Sequence, residues 1–305
     1  MIEVSPAADS AEEQVSLEIY NAVWPQSAIT MAEVESFKGS LLDYVDFLAR
    51  IDGQAAGSGV GAVGPHRPNQ VITVTAVLPE YRRRGIGTAL YKAISEWAAE
   101  RGLHKLFARV PDDDPASLAF ARKRGFVQVT HEKGLVLNLA DIDAPPAEPP
   151  DGVELVTWAE RPGIERGLYE VALEALPDIP GQEDDAIEPF DDWLEHEMRG
   201  SGDLSEATFV ALAGDEVIGY SKFSLTAARP KCAFHDLTAV KRAWRGRGIA
   251  RALKATQIRW AKEHGYEELH TRNEERNEPI RRLNARFGYR PAVGLFYLEG
   301  PLSDA

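Results

Sequence analysis

The segment Arg82-Arg83-Arg84-Gly85-Ile86-Gly87 recurs 163 residues later as Arg245-Gly246-Arg247-Gly248-Ile249-Ala250. The tripeptide Thr-Ala-Val precedes both segments at the same distance, as Thr75–Val77 and Thr238–Val240. The same separation relates further pairs: Leu90 and Leu253, Trp97 and Trp260, Gly102 and Gly265, Arg109 and Arg272, Gly125-Phe126 and Gly288-Tyr289. A single register held over about fifty residues indicates that a whole structural unit is repeated.

The stretch between the two copies is rich in proline, Ala144-Pro145-Pro146-Ala147-Glu148-Pro149-Pro150-Asp151-Gly152. Such a stretch favours an extended, stiff spacer, because proline cannot continue a helix or a central strand. A chain of 305 residues is long enough for two domains of ordinary size. We therefore predict an N-terminal domain over 1–143, a linker over 144–152 and a C-terminal domain over 153–305.

Each copy has the same order of predicted elements. A helical first half precedes a hairpin pattern at 47–57 or 209–219, followed by a β-rich run at 71–77 or 233–240. The basic glycine segment comes next, and apolar residues at helical spacing then extend to Gly102 or Gly265, which suit the end of a helix. Each copy is therefore predicted to be an α/β unit with antiparallel strands, a central strand, a basic turn and a long helix.

The composition excludes several classes of protein. A formal net charge of -14 would repel a nucleic-acid backbone, so we expect no nucleic-acid partner. A single cysteine, Cys232, excludes an intramolecular disulfide, and the histidines show no metal-ligand spacing, so we expect no metal. With no signal peptide and no long apolar run, we expect a cytoplasmic protein that does not span a membrane.

The basic glycine segments have a physical reason to bind an anion. The first turn of a helix leaves backbone N–H groups unpaired, its dipole adds positive potential, and small residues let a phosphate approach closely. The simpler reading is a tight turn with solvated arginines. A Rossmann site fits badly, because the third glycine is absent and no acidic ribose ligand follows. Pyrophosphate is the favoured ligand, since the segment occurs twice in register.

These residues resemble the GNAT superfamily of acyl-CoA-dependent N-acyltransferases, including its unassigned tandem members from actinobacteria. That family implies two tandem domains, each a mixed, mostly antiparallel sheet flanked by helices. Its glycine signature binds the pyrophosphate of CoA, and a second, asparagine-led signature is similar to 277–289. The resemblance implies contacts to acetyl-CoA from Val77, Arg82, Arg83, Arg84, Gly85, Ile86 and Gly87, and from Thr238, Val240, Arg245, Gly246, Arg247, Gly248, Ile249, Ala250 and Asn277.

The two copies differ where catalysis would need side chains. Asp114 stands in the first copy where the second has Asn277. Many family members carry a tyrosine on the following helix, thought to protonate the departing thiolate, but the matching positions here are Ala121 and Asn284. The leaving-group proton is therefore unassigned, which also suits an alternative function, a non-catalytic acyl-CoA-binding or assembly module.

The candidate catalytic residues lie on the predicted central strand of the second copy. Alternation places Phe234, Asp236 and Thr238 on one face and His235, Leu237 and Ala239 on the other. Asp236 is the candidate general base and His235 a second candidate, against the simpler readings of a buried carboxylate and a structural histidine. Because Thr73 stands where the second copy has Asp236, we predict that the C-terminal copy is the catalyst and the N-terminal copy mainly supports structure.

The expected reaction is the transfer of an acetyl group from acetyl-CoA to the primary amine of a small molecule by direct attack. The region ahead of the hairpin in the second copy is acidic, with Asp178, Glu183, Asp184, Asp185, Glu188, Asp191, Asp192, Glu195 and Glu197. These carboxylates would attract a cationic acceptor, although a solvated acidic loop is the simpler reading. Cys232 is expected to be a small buried residue rather than a nucleophile.

Overall fold

The computed structural model describes residues 1–181 and 187–303. The chain forms two compact units, Met1–His131 with Leu295–Ala305 (the N-terminal unit) and Glu132–Gly294 (the C-terminal unit). These limits differ from the predicted domains, because residues 132–143 and 295–305 each belong to the unit formed mainly by the other half of the chain. The division of the sequence repeat at 144–152 stays a prediction.

The first copy of the repeat contains six strands and four helices: β1 (Ile2–Pro6), α1 (Ser10–Val23), α2 (Met31–Gly39), β2 (Asp43–Ile51), β3 (Gln54–Val63), β4 (Val71–Val77), α3 (Ile86–Glu100), β5 (Lys105–Pro111), α4 (Pro115–Arg122) and β6 (Val127–Asn138). The described part of the second copy contains β7 (Glu154–Thr157), α5 (Glu165–Ala175), α6 (Phe190–Trp193), β8 (Thr208–Ala213), β9 (Glu216–Leu225), β10 (Cys232–Val240), α7 (Ile249–Glu263), β11 (Glu268–Glu274), α8 (Glu278–Arg286) and β12 (Arg290–Pro301).

The sheet of the N-terminal unit runs in the order β1-β2-β3-β4-β5-β12. Strands β4 and β5 are parallel, and the other neighbours are antiparallel. The last strand comes from the end of the chain, where Leu295–Pro301 pairs with Pro111–Lys105. The hairpin between β2 and β3 lies at its predicted position. It turns through Asp52 and Gly53, which both have the positive φ that a tight two-residue hairpin turn requires.

The sheet of the C-terminal unit runs in the order β6-β11-β10-β9-β8-β7. Only β10 and β11 are parallel, and β6 contributes Glu132–Asn138 as the antiparallel partner of β11. Each unit thus has a mixed, mostly antiparallel sheet with flanking helices, which confirms the predicted fold class.

The long helices pack on the sheets through the predicted apolar stripes. Leu90, Ile94 and Trp97 of α3 are buried, as are Leu253 and Gln257 of α7. Both helices end just before a glycine at positive φ, at Gly102 and Gly265, as expected for a left-handed residue after a helix. Among the described residues, none of the helices has the length and apolar character needed to cross a bilayer.

Candidate functional site

Both glycine segments form a left-handed turn that leads into a long helix. Gly85 precedes α3 with φ +94°, and Gly248 precedes α7 with φ +88°. Neither helix has a side-chain cap or an acidic residue in its first turn. The N–H of Thr88 in α3 donates to the carbonyl oxygen of Gly85 over 3.0 Å. The first two N–H groups of each helix remain available to an anion, as the sequence pattern predicts.

The arginines of the two turns play matching structural roles. The Nε of Arg82 donates to the carbonyl oxygen of Val77 over 3.1 Å, and the Nε of Arg245 donates to that of Val240 over 2.9 Å. These two bonds tie each turn to the end of its strand. They also occupy the carbonyl oxygens of Val77 and Val240, two residues that the resemblance assigns to CoA.

The arginine at the third position of each turn stacks on an aromatic ring. Arg84 lies over Tyr81 and Arg247 over Trp244, at 5.6 Å and 4.8 Å from the ring centroids. The second position has positive φ in both copies, but it is Arg83 in the first and Gly246 in the second. The second turn is therefore free of the steric cost that a side chain at this φ carries.

Each central strand separates from its parallel neighbour before it reaches the turn. Strand β4 pairs with β5 only from Val71 to Thr73, and β10 pairs with β11 only from Cys232 to Phe234. Beyond that point Thr238 and Val240 pair only with β9 on their other side. The split between β10 and β11 therefore opens toward the glycine turn.

Strand β10 carries a bulge at Asp236, which alternation alone does not predict. His235 pairs with Phe223 and Leu237 pairs with Lys222, so Asp236 has no partner of its own in β9. His235 faces α7, where it contacts Gln257, whereas Leu237 and Ala239 pack in the core next to α5. The predicted face shared by His235, Leu237 and Ala239 is therefore wrong, because the extra residue reverses the alternation after it.

The bulged Asp236 is the exposed end of a chain of charges. Its Oδ2 lies 3.0 Å from the Nζ of Lys222, which also donates to Asp203 Oδ1 over 2.9 Å. Burial would lower the pKa of Lys222, but the two carboxylates outweigh it and hold the pKa above its usual value. The side chain of Asp236 is 38% exposed, so its carboxyl group lies at the split with the ammonium group of Lys222 behind it.

Sequence reasoning missed Lys222, the partner of Asp236, and also Asp203, the second carboxylate bound to that lysine. A lysine in the interior of a mostly apolar strand, Glu216–Leu225, is the signal that could have identified Lys222. Asp203 gives no comparable signal, because it lies in an irregular polar loop. Its contact with Lys222 depends on where that loop meets the sheet.

The second candidate, His235, is fully enclosed. Its Nδ1 lies 3.0 Å from Gln257 Oε1, and burial, followed by the nearby charge of Lys254, holds its pKa well below the usual value. The imidazole is therefore neutral near pH 7. Asp236 and His235 are neighbours in sequence, but the structure presents only Asp236 toward solvent.

The positions that usually supply the leaving-group proton hold no acid. Ala121 is apolar, and Asn284 is fully buried with its Nδ2 donating to Asn273 Oδ1 over 2.6 Å. Asp114 caps α4 through bonds to Ser117, whereas Asn277 precedes α8 without capping it through its side chain. Asn277 is thus not used as a helix cap, in contrast to Asp114.

Two of the predicted acidic residues already have side-chain partners. Asp178 accepts from Arg242 and Arg245, and these hydrogen bonds hold the pKa of its carboxyl well below the usual range. Glu188 is buried against His196. Glu183, Asp184 and Asp185 lie outside the described residues, whereas Asp191, Asp192 and Glu195 are exposed.

Cys232 is half-buried rather than fully buried, and it lies near two other potential metal ligands. Its Sγ is 3.7 Å from Glu268 Oε2, which is 2.9 Å from His270 Nε2. The same nitrogen lies 3.1 Å from Nη2 of Arg229. A guanidinium cation therefore already faces this group of three.

Comparison with known proteins shows which family the chain belongs to. The acetyltransferase (GNAT) family profile matches two regions, residues 15–126 and 166–289. The chain is 37% identical over 83 residues to an L-2,4-diaminobutyric acid acetyltransferase of Nocardia farcinica, but this match spans 26% of the chain and only 43% of that enzyme. It is 27% identical over 221 residues to a mycothiol acetyltransferase of Catenulispora acidiphila, which covers 70% of this chain and 67% of that enzyme.

A solved structure shows the same fold over its full length. A tandem GNAT protein from the clavulanic acid biosynthesis pathway superposes with a TM-score of 0.80 and 22% identity, covering 100% of both chains. These matches confirm the resemblance that the two glycine segments and the 277–289 signature indicated. The chain belongs to the acetyltransferase (GNAT) family, with one match to the family profile in each half.

Proposed function

We propose that the chain transfers an acetyl group from acetyl-CoA to the primary amine of a small acceptor in its C-terminal copy. The observation that carries this proposal is the exposed Asp236 at the split of β10 and β11, ahead of a glycine turn with unused N–H groups. The corresponding place in the first copy is Thr73, which is buried and cannot accept a proton at neutral pH.

In the proposed reaction the amine nitrogen attacks the thioester carbonyl and the carbon–sulfur bond breaks. Asp236 accepts a proton from the ammonium form of the acceptor, since a positioned carboxylate can act as a general base. Lys222 holds that carboxylate in place from the protein side. The nitrogen loses a second proton as the amide forms, and the CoA thiolate takes up a proton through solvent, because Asn284 and Ala121 provide none.

The glycine turns are proposed to hold CoA in both copies. The residues are those implied by the resemblance, with Arg245 to Ala250 around the pyrophosphate in the second copy and Arg82 to Gly87 in the first. The N–H groups of Thr238 and Val240 lie on the strand that borders the split, as an arm of CoA would require. Asn277 immediately precedes α8, the helix that follows β11 in the chain.

The acceptor is proposed to be a small cationic amine. The exposed carboxylates of Asp191, Asp192 and Glu195 lie in the part of the second copy that precedes the hairpin. Opposite charge raises the local concentration of a cation, and this attraction weakens with salt. The KM for such an acceptor is therefore expected to rise with ionic strength, while the KM for a neutral amine stays unchanged.

Release of CoA thiol in the presence of an amine panel tests the proposal. Asp236→Asn is expected to lower kcat by about 100-fold with little change in the KM for acetyl-CoA, because only the base is lost. Thr73→Val, the matched change in the first copy, is expected to leave kcat unaltered. Equal activity of Asp236→Asn and the wild type would assign the base elsewhere.

A non-catalytic acyl-CoA-binding module is the second candidate, and the buried Asn284 is the observation that favours it. Calorimetric titration separates the two functions. A binding module takes up acetyl-CoA at one or both turns without releasing thiol in a single turnover with any amine, whereas the proposed enzyme releases thiol at the rate of amide formation.

A further inference from the structure

Four polar side chains meet inside the C-terminal unit, between β10 and α7. They are His235 of β10, Lys254 and Gln257 of α7, and Tyr289, which follows α8. Their exposed fractions are 2%, 1%, 0% and 6%. Such residues are rarely buried together without partners, so the bonds that they make are informative.

These side chains have more polar atoms than partners. The contact between His235 Nδ1 and Gln257 Oε1 is a hydrogen bond of 3.0 Å, but His235 Nε2, Gln257 Nε2 and the hydroxyl of Tyr289 have no partner. The ammonium nitrogen of Lys254 lies 5.3 Å from the centre of the Tyr289 ring. The rings of His235 and Tyr289 are 5.8 Å apart, which places all four groups in one neighbourhood.

The donors and acceptors of this cluster are complementary to water. Gln257 Oε1 can only accept, so the hydrogen of the neutral His235 ring lies on Nδ1 and its Nε2 is left as an acceptor. Gln257 Nε2 is a donor, and the hydroxyl of Tyr289 can both donate and accept. A buried water usually makes about three hydrogen bonds to such otherwise unsatisfied groups.

The fold itself does not require this cluster. The positions 163 residues earlier in the N-terminal unit are Ile72, Tyr91, Ile94 and Phe126. Ile94 and Phe126 are buried in an apolar core, and the hydroxyl of Tyr91 donates to the carbonyl oxygen of Pro301 over 3.1 Å. The polar set therefore occurs only in the copy that also has Asp236.

The cluster lies directly behind the functional strand. His235 precedes the bulged Asp236, and its carbonyl oxygen accepts from Thr271 Oγ1 of β11 over 3.3 Å. Its side chain is bonded to α7 through Gln257. His235 is thus held from both sides at the point where β10 leaves β11.

We propose that His235, Lys254, Gln257 and Tyr289 enclose an internal water site, and that the hydrated cluster positions β10 for the reaction at Asp236. The four are positioning residues, because they act through the backbone of β10 and not by contact with the substrate. The effect on rate rests on the proposed acetyl transfer, whereas the water site does not.

A high-resolution crystal structure of the full chain tests the water site. We expect an ordered water within hydrogen-bond distance of His235 Nε2 and of at least one of Gln257 Nε2, Tyr289 Oη and Lys254 Nζ. A dry cluster, or side chains that satisfy one another directly, overturns the water site. This result stands even if no amine proves to be a substrate.

Kinetics of two variants test the positioning role. Lys254→Met and Tyr289→Phe keep the approximate volume of each side chain, and each is expected to lower kcat roughly tenfold or more, because small displacements of reacting groups cost rate. The KM for acetyl-CoA should stay the same, and the melting temperature should not fall. A purely structural role predicts instead that stability and activity fall together.

Tyr91→Phe in the first copy is the matched control and should leave kcat unchanged. If Lys254→Met does not fold, Tyr289→Phe alone decides, since it removes only one oxygen atom. Wild-type kcat in the folded variants overturns the positioning role. Absence of thiol release by the wild type would instead reject the proposed acetyl transfer, and the crystal structure would still decide the water site.

Discussion

The two copies of the repeat share a turn and differ in the strand that leads to it. Strand β4 pairs with β3 in a regular register, whereas β10 has a bulge at Asp236 opposite Lys222. The turns after them both place a glycine at positive φ before a helix. The glycine turn is thus compatible with either strand, and the proposed chemistry of the second copy depends on the strand and on the side chains behind it.

Truncation of the first half of the chain is expected to have the largest effect, because β6 of that half completes the sheet of the C-terminal unit. A chain containing only residues 151–305 lacks Glu132–Asn138, which pairs with the whole of β11, and it loses the buried Leu137 and Leu139. Each buried leucine contributes about 2 kcal/mol. We therefore expect this chain to aggregate or to show no cooperative unfolding in urea.

Extension of the truncated chain provides the comparison. A chain that begins at Glu132 restores β6 and should recover part of the far-ultraviolet circular dichroism and a cooperative transition. If the chain from 151 onward folds cooperatively and is as active as the full protein, the supporting role of the first half is wrong.

The next largest effect separates the two turns. Gly248→Glu is expected to reduce activity at least about 100-fold, because it places a negative charge where the pyrophosphate would bind. Gly85→Glu introduces similar backbone strain, since the two glycines have φ of +88° and +94°. It should nevertheless leave substantial turnover, as measured by thiol release.

Gly248→Gln keeps the strain and removes the charge, so it should fall between the wild type and Gly248→Glu. Circular dichroism of all three variants checks that they fold. If Gly85→Glu loses activity and Gly248→Glu keeps it, the N-terminal copy is the catalyst.

A smaller effect should appear in the dependence of stability on pH. Burial lowers the pKa of Lys254 from 10.5 to about 7, with His235 of β10 and Tyr289 as the titratable groups beside it. Between these values the unfolded chain binds a proton that the folded chain does not. The free energy of unfolding should therefore rise with pH in this window, by up to about 1.4 kcal/mol per pH unit.

Lys254→Met removes this dependence. Urea unfolding at several pH values between 7 and 10 should show a shallower slope for the variant than for the wild type, with the greatest gain in stability near pH 7. Parallel curves for the two proteins would show that Lys254 titrates normally.

The smallest effect concerns the second position of each turn, which is Arg83 in the first copy and Gly246 in the second. Arg83 has φ +64°, which costs a side chain about 1 kcal/mol, whereas Gly246 takes the same conformation freely. Arg83→Gly should stabilise the N-terminal unit by about 0.5 kcal/mol after the entropy of the glycine is subtracted. Gly246→Ala should destabilise the C-terminal unit, and a melting temperature unchanged in both variants would contradict this account.

Local sequence patterns are sufficient to predict the elements that carry the proposed anion site. The spacing of Leu90, Ile94 and Trp97 predicted α3, and the basic glycine segments predicted turns at helix starts. These features depend on residues close in sequence, since helix periodicity and the conformational freedom of glycine are local properties.

The bulge was not predictable from β10 alone. Alternation assumes one residue for each partner, and only the register against β9 shows that Asp236 has none. The ion pair with Lys222 follows from that register, whereas the bond from Lys222 to Asp203 depends on where the loop of Asp203 meets the sheet. The buried cluster was not predictable either. Helical spacing places Lys254 on the face of α7 that packs on the sheet, but it does not show which polar groups surround the lysine there.

The sequence by itself determined two repeated α/β copies and a turn in each that suits an anion. It also determined that the central strand has a carboxylate, Asp236, only in the second copy, where the first has Thr73. The tertiary structure decided which strands complete each sheet, where β10 is interrupted and which side chains face Asp236. The physical reason is that the end strands β6 and β12 have similar local preferences. Their partners are chosen by long-range pairing and packing, which no window of sequence contains.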